Sequence, residues 1–307
     1  MERLYGEETF HGTSVRQEGN VCMSEGSYSM QLKVSKQDGV PVFKVQDLQT
    51  QALREKAVLF CVAIAIPALI LILWETTTRM GWIDELFLPS LSGIVTEFLA
   101  MTRKGYAGTP VLTHVLGSLR RVFTAFGIGT VVGLLLGLLM GYYKYVRAAF
   151  YVVTELLRPI PPLAFITLFI LWFGIGEVSK ILIILYAGAL IVMLNTMAGV
   201  QSCPKDKILA ARTLGANDLA IFLHVILPAA LPNIFTGMRV ALSVDFGILV
   251  AAELLAGDIG IGYIIQDASV FFNVEALFVG ILMIGFFGVL SDFLLRVISS
   301  KVVHWQG

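Results

Sequence analysis

Asp245 and Glu253 stand inside an otherwise apolar stretch of this 307-residue chain. On a helix their spacing is a rotation of about 80°, so both carboxylates can share one broad face. Charges in such surroundings are costly and ordinarily meet a cavity or a partner. Two acids repel an anion rather than hold one, so Asp245 and Glu253 are candidates for a gate or pathway wall. For Glu253 a structural role is favoured, pairing with Arg120 or Arg121 or capping a broken helix. Arg239, in the same stretch, is expected to be structural, with a stem long enough to snorkel. His11, His114, His224 and His304 are too scattered for a metal site, and His224 is expected to be hydrogen-bonded at the surface. Cys22, Cys61 and Cys203 imply neither a disulfide framework nor a metal cluster. No GxxxxGK[ST] phosphate loop occurs. These residues predict no catalytic group, no metal, no cofactor bound by this chain and no ATP hydrolysis of its own.

The elements that must carry these charges follow from composition. The chain is 57% hydrophobic and 14% charged, with 22 basic and 22 acidic residues, and its mean hydropathy is +0.81. A soluble domain carries roughly 25% charge, so lipid is the expected solvent. A disordered chain is excluded, and nucleic acid is not an expected partner, for want of any basic run. The fold class predicted is all-α, a polytopic membrane protein with six transmembrane helices. The spans expected are Ala57 to Trp74, Val122 to Tyr143, Pro159 to Gly176, Ile181 to Pro204, about Ile234 to Leu255 and about Ala276 to Ile298. Residues 1–55 read as a polar, largely flexible tail, with a short strand or helix around Val40 to Leu48; residues 56–305 read as the transmembrane domain. With the N-terminus in the cytoplasm, Arg79, Arg103, Lys104, Arg120, Arg121 and Lys180 fall outside and a larger number of cations falls inside, as the positive-inside rule asks.

Three segments bear on packing and movement. Gly129, Gly133, Gly137 and Gly141 recur every fourth residue, a stripe that lets another backbone approach closely. Packing within the chain is the favoured role, and a subunit or sliding interface the alternative. Arg158-Pro159-Ile160-Pro161-Pro162 cannot continue a regular helix, yet a deep apolar run follows at once. It is either a gate region or a rigid turn entering the membrane. The segment from Ser202 to Pro232 predicts two short helices, residues 202–232 forming a loop at one membrane face. Ser202 caps the first helix, Pro204 sits in its first turn, Ile208, Ala211 and Leu214 give one apolar face, and Gly215 ends it. Asp218 caps the second, which Pro228 ends, and a bent connection leads into the fifth span.

Leu209-Ala210-Ala211-Arg212, then Gly215-Ala216, then Leu227-Pro228 resemble the EAA motif of ABC importer inner-membrane permeases, with Leu209 standing where that motif has Glu. Arg158 to Ala164, Trp172 to Lys180, Leu88-Pro89-Ser90, Ser118 to Arg121 and Val250 to Leu254 resemble the taurine, sulfonate and nitrate branch of that family. The resemblance runs from about Val58 to Trp305.

The resemblance implies the type I importer permease fold, in a bacterial cytoplasmic (inner) membrane, crossed several times. It implies cytoplasmic ABC ATPase subunits that hold ATP-Mg and bind the loop around Leu209 to Ala216. It also implies a second permease subunit, expected to be an identical copy, and an extracytoplasmic substrate-binding protein, all within membrane lipid. The cargo implied is taurine or an aliphatic sulfonate; nitrate, bicarbonate, a thiamine precursor or an aromatic acid would use the same machinery. An ion-coupled secondary transporter is the alternative from another class, and a membrane enzyme a further one.

Overall fold

The computed structural model describes residues 35–37, 40–42 and 45–305. The expected tail lies for the most part outside them. Within it Ser35–Gln37 (β1) and Val40–Val42 (β2) pair antiparallel, with Ser35 opposite Val42. Helix α1 runs from Val45 to Arg79. The described residues fall into two units, one ending at Ile72 and the other beginning at Leu73, so the division lies inside α1.

In the second unit the backbone is helical nearly throughout, because helices satisfy every peptide group within the lipid. The elements in order are α2 (Leu91–Lys104), α3 (Val111–Tyr142), α4 (Lys144–Leu157), a 3-10 turn (Pro162–Phe165), α5 (Ile166–Phe173) and α6 (Glu177–Gln201). After them come α7 (Lys205–Thr213), α8 (Asp218–Ile221), a π-helical turn (Phe222–Ile226), α9 (Leu227–Ala256), α10 (Ile261–Val270) and α11 (Val274–Val302). Among the described residues five helices are long and apolar enough to cross a membrane. The count is six if α4 and the 3-10/α5 segment, bent by 87°, are one broken span.

That bend corrects the third expected span. Pro159 to Gly176 is not one helix. Its helical part is a turn of 4 residues and a helix of 8, roughly 18 Å long, too short for a hydrocarbon core of roughly 30 Å. Pro159, Pro161 and Pro162 lack the amide protons and carry the fixed φ that force the corner. A second correction concerns α9. Pro228 does not end a helix, and no bent connection precedes the fifth span. From Asp218 to Leu255 the chain is continuously helical. The π-helical turn widens the backbone just ahead of Pro228, which sits at the start of α9 where a missing amide proton is tolerated. Pro232 lies inside α9, and Thr236 Oγ1 donates to its carbonyl at 2.9 Å.

The glycine stripe packs within the chain. A Cβ on Gly129 would lie 3.1 Å from the Leu185 carbonyl, on Gly133 2.7 Å from that of Ala189, on Gly137 2.6 Å from that of Met193, and on Gly141 2.6 Å from Val200 Cβ. The paired numbers rise together, so α3 and α6 run parallel with their backbones nearly touching. Between α6 and α9 the order reverses: Gly188 meets Asp245, and Gly199 meets Asn233 and Ala230. Small residues supply close packing where lipid offers no hydrophobic drive between helices. Val122, Ala125, Ile183, Ile184, Ala187, Leu242 and Leu249 fill the space around these seams.

This arrangement fixes two ends. The starts of α3 and α6 and the end of α9 share one; α7 and α8 lie at the other.

Candidate functional site

At the first end, α3 offers one polar face in an apolar helix: His114, Ser118 and Arg121, at helical spacings of four and three. All three are buried. Together they grip the turn after α9. His114 Nδ1 accepts from the Gly260 amide at 3.1 Å. Ser118 Oγ accepts from the Ile261 amide at 2.8 Å and donates to Glu253 Oε1 at 2.8 Å. Arg121 Nη1 donates to Glu253 Oε1 and to the Ile259 carbonyl, each at 2.6 Å. The Gly262 amide donates to Glu253 Oε2 at 2.8 Å. Glu253 is wholly buried, and both of its carboxylate oxygens accept from these donors. A Cβ on Gly260, whose φ is +148°, would run into the Glu253 carboxylate, so only glycine fits there.

The remaining face of Arg121 is turned to α6. Nε and Nη2 form a fork on the Glu177 carboxylate at 2.8 and 2.6 Å. Lys180 Nζ lies 3.6 Å from Glu177 Oε1. Ser179 Oγ donates to the carbonyls of Gly174 and Gly176, which pins the turn entering α6. Arg121, Glu177, Lys180 and Glu253 thus form one ion cluster.

Asp245 does not join it. It is wholly buried against Gly188, and neither carboxylate oxygen has a hydrogen-bond partner among the described residues. The shared face expected for Asp245 and Glu253 is not formed: one meets α6 in mid-helix, the other meets α3 and α10 near the helix end. Arg158, Pro159 and Pro161 are exposed at the α4–α5 corner, with Pro162 half-buried. No ion pair or hydrogen bond links Arg158 to either carboxylate among the described residues. Arg239 is held by Asp292 of α11 at 2.8 and 3.1 Å rather than reaching for the interface.

The other end carries the loop. Pro204, not Ser202, precedes α7; Ser202 closes α6, its hydroxyl donating to the Gly199 carbonyl. Gly215 has φ +83°. Its amide donates to the Arg212 carbonyl at 2.9 Å and the Ala216 amide to that of Ala211 at 3.1 Å, the two bonds that end a helix at a left-handed residue. Asn217, not Asp218, caps α8 through the Ala220 amide. Arg212 pairs with Asp218 at 3.1 Å in solvent, where such a pair contributes little. Ile208, Ala211 and Ala216 pack inward with Leu227. Leu214 does not join them, because the turn at Gly215 throws it outward. It is 89% exposed and Leu209 58%. Ala210 is also exposed, and Pro228 lies in the first turn of α9.

Cys203, just before α7, is buried. Burial pushes its thiol up, and Lys207 offsets this only in part. On the opposite end Tyr106 donates to Asp267 Oδ2 at 2.9 Å. Burial, then that bond to an acid, raise its phenol above the ordinary range.

Sequence reasoning foresaw Arg121 as a partner for Glu253 but passed over His114, Ser118, Glu177 and Lys180 as a group. The signal was present in the His114–Ser118–Arg121 spacing, which puts three polar groups on one stripe of a helix.

The family model described as the binding-protein-dependent transport system inner membrane component matches residues 129–304. The taurine transport system permease protein of Escherichia coli (strain K12) is 36% identical over 78% of this chain and 88% of its own length. An aliphatic sulfonates transport permease protein of Bacillus subtilis (strain 168) is 34% identical over 78% and 86%. Among solved structures, an inward-facing form of the MetNI methionine ABC transporter matches with a TM-score of 0.52. It is 21% identical, covers 63% of this chain and 94% of that one, and supports the fold.

Proposed function

The chain belongs to the inner membrane component family of binding-protein-dependent transport systems and is an ABC importer permease, and from that premise we propose that it imports taurine or an aliphatic sulfonate. Movement is by alternating access, driven by separate ATPase subunits that hold ATP-Mg. Family membership sets aside the ion-coupled secondary transporter and the membrane enzyme.

The observation that supports the cargo most is the 36% identity to a taurine permease along nearly its whole length. The observation that supports the drive is the loop. Leu209 and Leu214 project from a short helix whose inner face is fixed to the bundle. Apolar side chains presented on a rigid helix suit a groove in another protein. With residues 202–232 in the cytoplasm that protein is the ATPase, and the cluster around Arg121 faces outward, toward a substrate-binding protein. The N-terminus is then cytoplasmic, residues 1–55 are a tail outside the pathway, and residues 56–305, with a second, identical copy, make the pathway itself.

Uptake by cells lacking their own sulfonate permease, supplied with this chain and its ATPase and binding protein, tests the cargo. Labelled taurine and alkanesulfonates should accumulate. Accumulation of nitrate, bicarbonate, a thiamine precursor or an aromatic acid instead would reassign the cargo within the same machinery. Removal of the residues before Gln51 should leave uptake unchanged at equal membrane levels.

A further inference from the structure

Arg121 and Lys180 are unlike their counter-ion. Their side chains are 5% and 4% exposed, whereas that of Glu177 is 56% exposed. The cations are fixed in the protein, and the acid reaches in from the rim. The contact of Lys180 Nζ among the described residues is a loose one, with Glu177 Oε1 at 3.6 Å. Beside it lies a gap of about 10 Å³ between Ile166, Ile170, Ile183 and Ala252, too small for an oxyanion.

Charge counting sharpens the contrast. Glu253 is satisfied by Ser118, Gly262 and Arg121 and cannot leave without exposing buried donors. Among the described residues Glu177 is held by the Arg121 fork and Lys180 alone. Were it to swing out, two buried cations would face one acid, a costly state unless another anion enters. The swing needs only the Glu177 side chain, which is more than half exposed, while the turn before it stays pinned by Ser179. The fork that Arg121 presents can engage two oxygens of a planar carboxylate or nitrate, or of a tetrahedral sulfonate.

We propose that Arg121 and Lys180 form a binding site for the anionic headgroup of the cargo, and that Glu177 fills this site as an internal stand-in while it is shut. The assignment rests on the proposed import of small anions. It makes opening at this end depend on cargo, because the anion replaces the departing carboxylate. It also explains why a chain whose other intramembrane acids repel anions keeps a lysine buried here.

The test uses the purified permease–ATPase complex and thermal denaturation in sodium methanesulfonate or sodium nitrate at millimolar concentration. Glu177→Ala should gain several degrees in either salt relative to sodium chloride at the same ionic strength, since a ligand that binds only the folded form raises its midpoint. The wild type, its site already filled, should not shift, and Glu177→Ala combined with Lys180→Met should lose the gain. Should Glu177→Ala fail to assemble, Glu177→Gln serves, having the same size without the charge. In uptake assays Lys180→Met should raise KM for the anion by about tenfold or more, and Lys180→Arg should restore it. The assignment is overturned if the single variant does not shift, if the wild type shifts equally, if the shift survives loss of Lys180, or if KM is unchanged in Lys180→Met. Wild-type cells that import no anion at all would overturn the proposed cargo instead, which the midpoint measurements do not decide.

Discussion

Arg121 Nη1 lies 2.6 Å from Glu253 Oε1, and this pair joins the start of α3 to the end of α9 with both side chains out of solvent. Removing one partner of a buried pair strands the other, at about 3–5 kcal/mol. Glu253→Ala should therefore lower the amount of folded protein in the membrane sharply. It also frees the amide of Gly262 and the hydroxyl of Ser118. Arg121→Ala should do the same, and the double variant should lose less than the two singles added. Detergent-extracted monodisperse protein is the measure, and simple additivity would show the contact to be idle.

The α3–α6 seam predicts a position-dependent response to one methyl group. Gly137→Ala puts Cβ 2.6 Å from a backbone carbonyl and from Thr196 Cβ, neither of which can retreat cheaply. A loss of about 1–3 kcal/mol is expected. Gly127→Ala on the same helix meets nothing within 4 Å and should be silent. Equal thermal midpoints for the two would mean that the seam is not tightly packed.

Coupling through α7 predicts that Gly215→Glu inserts normally yet loses uptake. The residue has φ +83° and open space around it, so the bundle is untouched while the turn is strained and the docking face altered. Asn tolerates the left-handed region better than other residues, and Gly215→Asn should retain more transport. Normal uptake by Gly215→Glu would sink the assignment of this loop to the ATPase.

Cys203 predicts a pH dependence. Burial favours its neutral thiol in the folded chain, so alkylation by N-ethylmaleimide should be slow at pH 7.5 and accelerate only above the ordinary thiol range. The sign for stability follows: this preference contributes fully below the ordinary thiol pKa and is lost as pH rises through the higher folded value. In a variant whose other cysteines are serine, mass spectrometry of the labelled peptide reads the rate. Rapid labelling at neutral pH would mean that the start of the loop opens.

The amino-acid sequence alone determined the solvent, the helical class, the left-handed turn at Gly215 and the break at Pro159 to Pro162. Those follow from local quantities: apolar run length, a glycine where the chain must turn left-handed, and prolines that cannot donate. It also carried the stripe from Gly129 to Gly141, because helical period is a property of one segment. Where it failed, the deciding partner was remote. The second span was expected to begin at Val122, where the uncharged run starts after Arg121. In fact α3 begins at Val111, because Glu177 and Glu253 neutralise Arg121 from two other helices. Pro228 reads as a stop, but a π-helical turn accommodates it. Leu214 matched an apolar face that the turn at Gly215 then pointed outward. Asp245 and Glu253 share a helix, yet only packing sent one to Gly188 and the other to Arg121. Tertiary structure decided these matters because an ion's energy in lipid depends on which counter-charge is brought within a few ångströms, and that is a property of the packed bundle.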